Sequence, residues 1–156
     1  MKYPEIKNWK LREVIGDVEI IAEDSIERRN ELLEKLKLPK PDTFIGLNRA
    51  ETNIDWLKMP QYYKFFFDKE GWEQRIKEWF EQSRLSETEK IIITYGWKEP
   101  MIKLPTKIFF EDWEGFFQST KYETVIFNED YSLVMEVSRD YYLHSNFEIM
   151  PDSKVV

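Results

Sequence analysis

The sequence contains no cysteine. Disulfides, thiolate catalysis and cysteine-ligated zinc are excluded with it. It contains one histidine, His144, so a metal site built from several histidines is excluded too. Glycine is scarce, at five residues, and no Gly/Ser linker, low-complexity tract or internal repeat interrupts the chain. The apolar runs "IIA", "FFF" and "III" are far too short to span a bilayer. The opening stretch "MKYPEIKNWKLREV" lacks the apolar core of a signal peptide. These absences lead us to expect a cytoplasmic protein without membrane contact.

Catalytic signatures are missing as well. There is no GxGxxG, no Walker A loop, no HExxH and no GxSxG. "NEDYS" (Asn128 to Ser132) does not fit a calcium loop, and "NED" reads as turn chemistry. No metal and no cofactor is expected.

What is present is aromatic and acidic. There are 11 Phe, 8 Tyr and 6 Trp, so aromatic rings should dominate the packing. The 156 residues fit a single domain over 1–156, with a tail expected to fray from about Pro151. The formal net charge is −7, which disfavours nucleic acid and favours a basic protein partner. The oligomeric state is left open.

Periodicity supplies the elements. Val14, Val18, Ile20 and Ile21 lie in a strand candidate, "REVIGDVEIIAED". Asp24 can cap a helix over about Ser25 to Lys37, with Ile26, Leu33 and Leu36 at helical spacing. Pro39 and Pro41 then stop it. Phe44 to Phe67 shows no sustained period; a short helix around Glu51 to Leu57 and an extended "YYKFFF" are the readings it allows. In "DKEGWEQRIKEWFEQSRL", Trp72, Ile76, Trp79 and Phe80 form one helical face, with Asp68 as the candidate cap. Such a stripe ordinarily faces the core. "KIIITYGW" reads as a central strand, and "PMIKLPTKIFF" as an extended segment broken by Pro105. "EDWEGFFQS" reads as a short helix that Gly115 weakens.

The last third reads as a meander of three strands. In "YYLHSNFEI", Tyr142, His144, Asn146 and Glu148 share one face. The fold class expected is α+β: an antiparallel sheet of four or five strands with helices packed on one face.

Two readings of this face compete. In the first, Tyr142, His144, Asn146, Glu136 and Glu148 make an exposed binding surface, with tyrosine for contact area and acids to steer a basic partner. In the second, His144 acts as a general base in a pocket with Tyr142, in an enzyme or small-molecule binder. Glu111, Asp112 and Glu114 are close enough in sequence to suggest paired-acid chemistry, but their place at a helix start already accounts for them. A domain with no separable site is the third possibility.

From Glu89 to Ile149, the central strand, the aromatic "FEDWEGFF" helix and the final meander resemble small acidic bacterial proteins of the polymorphic-toxin immunity type, or families of similar build. That resemblance implies inhibition of a cognate toxin by tight binding. It carries no diagnostic motif and therefore no site residues. The expected function is a non-enzymatic binding protein.

Overall fold

The computed structural model describes residues 9–40, 52–94, 100–119 and 124–155. Most of the unreadable start of the Phe44–Phe67 stretch, and Tyr95–Trp97 after the central strand, lie outside the described residues. In chain order the helices are α1 (Trp9–Val14), α2 (Ser25–Lys35), α3 (Glu73–Gln82), α4 (Thr106–Glu111) and α5 (Trp113–Ser119). The strands are β1 (Glu19–Ala22), β2 (Tyr63–Phe66), β3 (Lys90–Thr94), β4 (Met101–Pro105), β5 (Thr124–Asn128), β6 (Val134–Val137) and β7 (Tyr142–Ser145).

The fold is α+β, and every strand pair is antiparallel. Among the described residues the sheet has seven strands in the order β1-β4-β3-β5-β6-β7-β2, not the four or five expected. The difference comes from the edges. The early strand β2 crosses the molecule to pair with the last strand, β7, and β1 pairs with β4.

Helices on one face alone is also corrected. Ile91 and Ile93 point into a core with Ile76 and Phe80 of α3, Phe109 of α4 and Phe116 and Phe117 of α5. Ile92, on the other face, meets Leu32 and Leu33 of α2, with Trp56 and Tyr62. An unbroken run of isoleucines is what a strand buried on both faces requires.

Local signals explain most elements. The Asp24 side chain accepts a hydrogen bond from Glu27 N at 3.1 Å and starts α2. In α3, Ile76 and Phe80 are buried and Trp72 and Trp79 pack at the margin of the same core. Asp68 does not cap this helix; Trp72 holds the cap position and makes no side-chain cap bond. The stretch after Pro105 is helical, not extended. Phe109 and Phe110 turn onto Phe80, with ring centroids 5.4 and 5.8 Å away.

Asp112 separates α4 from α5 and accepts a bond from Gly115 N at 3.1 Å. A β-carbon on Gly115 would collide with the Asp112 carboxylate as it stands, so a side chain there would have to displace it. Lys10 reaches the same carboxylate at 2.6 Å and docks α1. The tail past Pro151, expected to fray, runs along β2, where Val155 N donates to Tyr62 O at 2.7 Å.

Candidate functional site

The β5–β6 and β6–β7 hairpins place the residues singled out in the sequence. Asp130 accepts from Ser132 N at 3.0 Å and Asn128 Oδ1 from Leu133 N at 2.9 Å, so "NED" is turn chemistry. The β6–β7 turn closes with Tyr141 N donating to Ser138 O at 3.1 Å, and Tyr141 sits at φ 66°. The resulting register sets Glu136 opposite His144, and on the far side Lys64 of β2 opposite His144.

This part of the sheet is not open. The segment after Thr52 folds over it, fastened by one buried carboxylate. Glu136 accepts from Asn53 N (2.6 Å), Asn53 Nδ2 (2.9 Å), Ile54 N (3.2 Å) and Trp56 Nε1 (3.0 Å). Burial pushes the Glu136 pKa up, and these four donors pull it back. Burial likewise lowers Arg29 on α2, against the attraction of Glu136.

His144 lies in a second buried network. Its ring is stacked with Trp56 and Tyr62, at centroid distances of 5.9 and 5.8 Å. The Tyr62 hydroxyl is 2.8 Å from Nδ1, and Ser138 Oγ is 2.9 Å from Nε2. Ser138 Oγ in turn donates to Asp140 Oδ1. That donation uses the serine proton, so the network assigns the imidazole proton to Nε2 and makes Nδ1 the acceptor from Tyr62. Burial first, then the Lys64 charge, lowers the His144 pKa to about 4, while Asp140 works in the opposite direction. Burial pushes the Tyr62 hydroxyl up to about 12, with Asp140 and Glu136 adding to it.

The chemistry available here is structural. A histidine that activates a serine must accept the hydroxyl proton. Here the serine accepts from the histidine, and Ser138 is 0% exposed. Among the described residues, no group of His, Asp and Glu could hold a metal ion.

The exposed row expected on β7 is thereby corrected. His144 and Glu136 are brought together but buried, because Trp56, Tyr62 and the Asn53–Ile54 backbone cover them. Asn146 is occupied, accepting from Val134 N and donating to Ser132 O, each at 3.0 Å. The Tyr142 ring lies under the Lys64 ammonium, 4.2 Å from its centroid. Glu148 is exposed and accepts from Asp152 N at 3.1 Å. The sequence reading missed Asn53, Trp56, Tyr62, Ser138 and Asp140 as their partners. One signal was present: Glu136 is a lone carboxylate inside the apolar stretch "LVMEV".

A different feature opens on the other face of the sheet. Between the loop after β2, the start of α3 and α5 lies a cleft of about 340 Å³. Phe67 and Trp113 contribute its aromatic walls, and Asp68, Glu70, Glu73 and Glu114 its charge. Trp113 Nε1 donates to Glu73 O at 3.2 Å and holds the two helices together there. Partial burial raises the Glu114 pKa, and Glu73, Asp112 and Asp68 add to it. The one lysine of the lining, Lys69, lies over the Trp72 ring at 4.1 Å.

No protein-family model matches the chain, and a search of curated proteins finds no match to it. Among the described residues, no helix is long and apolar enough to cross a membrane.

Proposed function

We propose that the chain is a non-enzymatic binding protein that engages a basic protein partner, as an immunity-type inhibitor engages a toxin. The observation that carries this reading is the cleft beside Phe67 and Trp113. Four carboxylates line it, and repulsion from Glu73, Asp112 and Asp68 adds to burial in raising the Glu114 pKa. A lysine or arginine side chain entering it would relieve that repulsion. The net charge of −7 would steer such a partner over a longer range. The contact surface moves from the Tyr142–Glu148 row to this cleft, since His144 and Glu136 are buried.

The competing reading, a reactive or ligand pocket around His144 and Tyr142, has less behind it. Both imidazole nitrogens are engaged, and the protein's own Trp56 and Tyr62 rings fill the space beside them.

The test is comparative capture from extract of the source cells. Wild type should retain a basic protein that salt releases, and its gene should be toxic unless this chain is co-expressed. The double variant Glu73→Lys/Glu114→Lys should bind that protein at least about tenfold more weakly, because the contact charge in the cleft is reversed. Glu27→Lys/Glu31→Lys, on the exposed side of α2, should bind it nearly as well as wild type. Equal retention by wild type and the cleft variant would overturn the assignment of the cleft.

A further inference from the structure

The two edges of the sheet are treated differently. The outer edge of β2 is covered by the chain itself: Lys154 bridges Tyr63, Val155 N donates to Tyr62 O at 2.7 Å, and Lys64 N donates to Ser153 O at 3.3 Å. The opposite edge is β1, which pairs with β4 on one side only. Among the described residues, no strand or tail runs along its outer side. An open edge presents a row of backbone donors and acceptors that an extended chain can satisfy.

The side chains of β1 suit such an addition. Ile20 packs at the margin of one core, and Ile21 and Ala22 at the margin of the other. All three are only partly covered. A strand laid beside them would extend both apolar layers. The surrounding charge selects its sign. Asp17, Glu19, Glu23 and Asp24 are all exposed at or next to the four residues of β1. The cation paired with Glu19, on β4, is Lys103, and it is shared with Glu129 at 3.7 Å.

The same charges argue against a second copy of this chain. Antiparallel pairing of β1 with itself would set these carboxylates against their counterparts, and like charges across a strand pair are destabilising.

We infer that the outer edge of β1 accepts an extended, basic segment of a partner protein as an added strand. This rests on the reading that the partner is basic, and it supplies the mode by which part of that partner is held. Backbone hydrogen bonds give the affinity, Ile20 and Ile21 the apolar contact, and the flanking acids the preference for lysine and arginine.

The experiment uses the whole chain and a synthetic peptide of about seven residues alternating valine and lysine, matched to ordinary strand length. Amide hydrogen exchange is followed residue by residue over Glu19 to Ala22. Saturating peptide should slow exchange at the outward-facing amides of β1 by about tenfold. A peptide of the same sequence with alternate N-methylated backbone keeps its charge but lacks the donors, and should give no protection. A valine–glutamate peptide should give none either. In Glu19→Lys/Glu23→Lys the preference for the basic peptide over the acidic one should be lost. No protection of β1 by the basic peptide, or equal protection by its N-methylated form, would overturn the inference. Protection that instead rises with the protein's own concentration, without peptide, would overturn it in favour of self-pairing. Glu73→Lys/Glu114→Lys should leave the β1 readout unchanged, so failure at this edge and failure of the cleft reading are told apart.

Discussion

Replacing His144 with glutamine should change how stability depends on pH. The folded protein holds this imidazole at a pKa of about 4, against 6.5 in the unfolded chain. Below the unfolded value, the unfolded chain takes up a proton that the folded one refuses. The contribution is therefore fully present above about pH 6.5 and drains away as pH falls toward the folded value. Once both states have titrated, a difference of this size is worth roughly 3 kcal/mol. About 2 kcal/mol of it should already be lost at about pH 5.

Glu136 titrates with the opposite sign. Its folded pKa is raised, so its contribution grows on acidification. The wild-type profile alone mixes the two, and the difference between wild type and His144→Gln isolates the histidine. Urea unfolding followed by tryptophan fluorescence gives that difference at each pH. Wild type should lead at neutrality, and its lead should shrink by about 2 kcal/mol by about pH 5. A lead that stays constant across that range would refute the idea that the folded state refuses the proton.

The other predictions concern single contacts. Glu136→Ala strands the amides of Asn53 and Ile54 and the indole of Trp56 without an acceptor, and should cost about 3 kcal/mol or more in urea unfolding. A loss below about 1 kcal/mol would mean the carboxylate does not fasten that segment. Gly115→Ala forces the Asp112 carboxylate aside and should lower stability by about 1–3 kcal/mol, seen as a lower melting temperature. An unchanged melting temperature would contradict the close approach. Ending the chain after Met150 removes the strand-like cover of β2, and should increase light scattering at high concentration while leaving the far-ultraviolet spectrum nearly unchanged.

The parts of this fold that could be read from the sequence are those set by neighbouring residues. Asp24 announces α2 because its cap is three residues away, at Glu27 N. The two last hairpins are legible because Asn128 and Asp130 build one turn locally and alternation marks the strands. Other parts depend on distant partners: "YYKFFF" reads as extended, as β2 is, but its place in the sheet left no local trace. The strand β2 contains aromatic residues that fit several environments, and only its pairing with Tyr142–Ser145 decides its place. The stretch "TKIFF" has strand-like composition, yet it is helical because Phe109 and Phe110 pack on Phe80. The site itself was misjudged for the same reason. Alternation correctly puts His144 and Glu136 on one face, but their cover comes from residues about 80 positions earlier. Glu136 could have corrected the reading, since a lone acid among buried apolar residues needs donors, and the strands around it offer none to spare.

The crossing of β2 to β7 has a consequence during synthesis. Tyr62 meets His144 across 82 positions of chain. A ribosome delivers the phenylalanine-rich β2 long before the hairpin that shelters it. Until that hairpin emerges, a sticky, strand-prone segment must wait without its docking surface. Production should therefore benefit from slow translation or added chaperones, and nascent chains halted before Tyr142 should be the ones that clump.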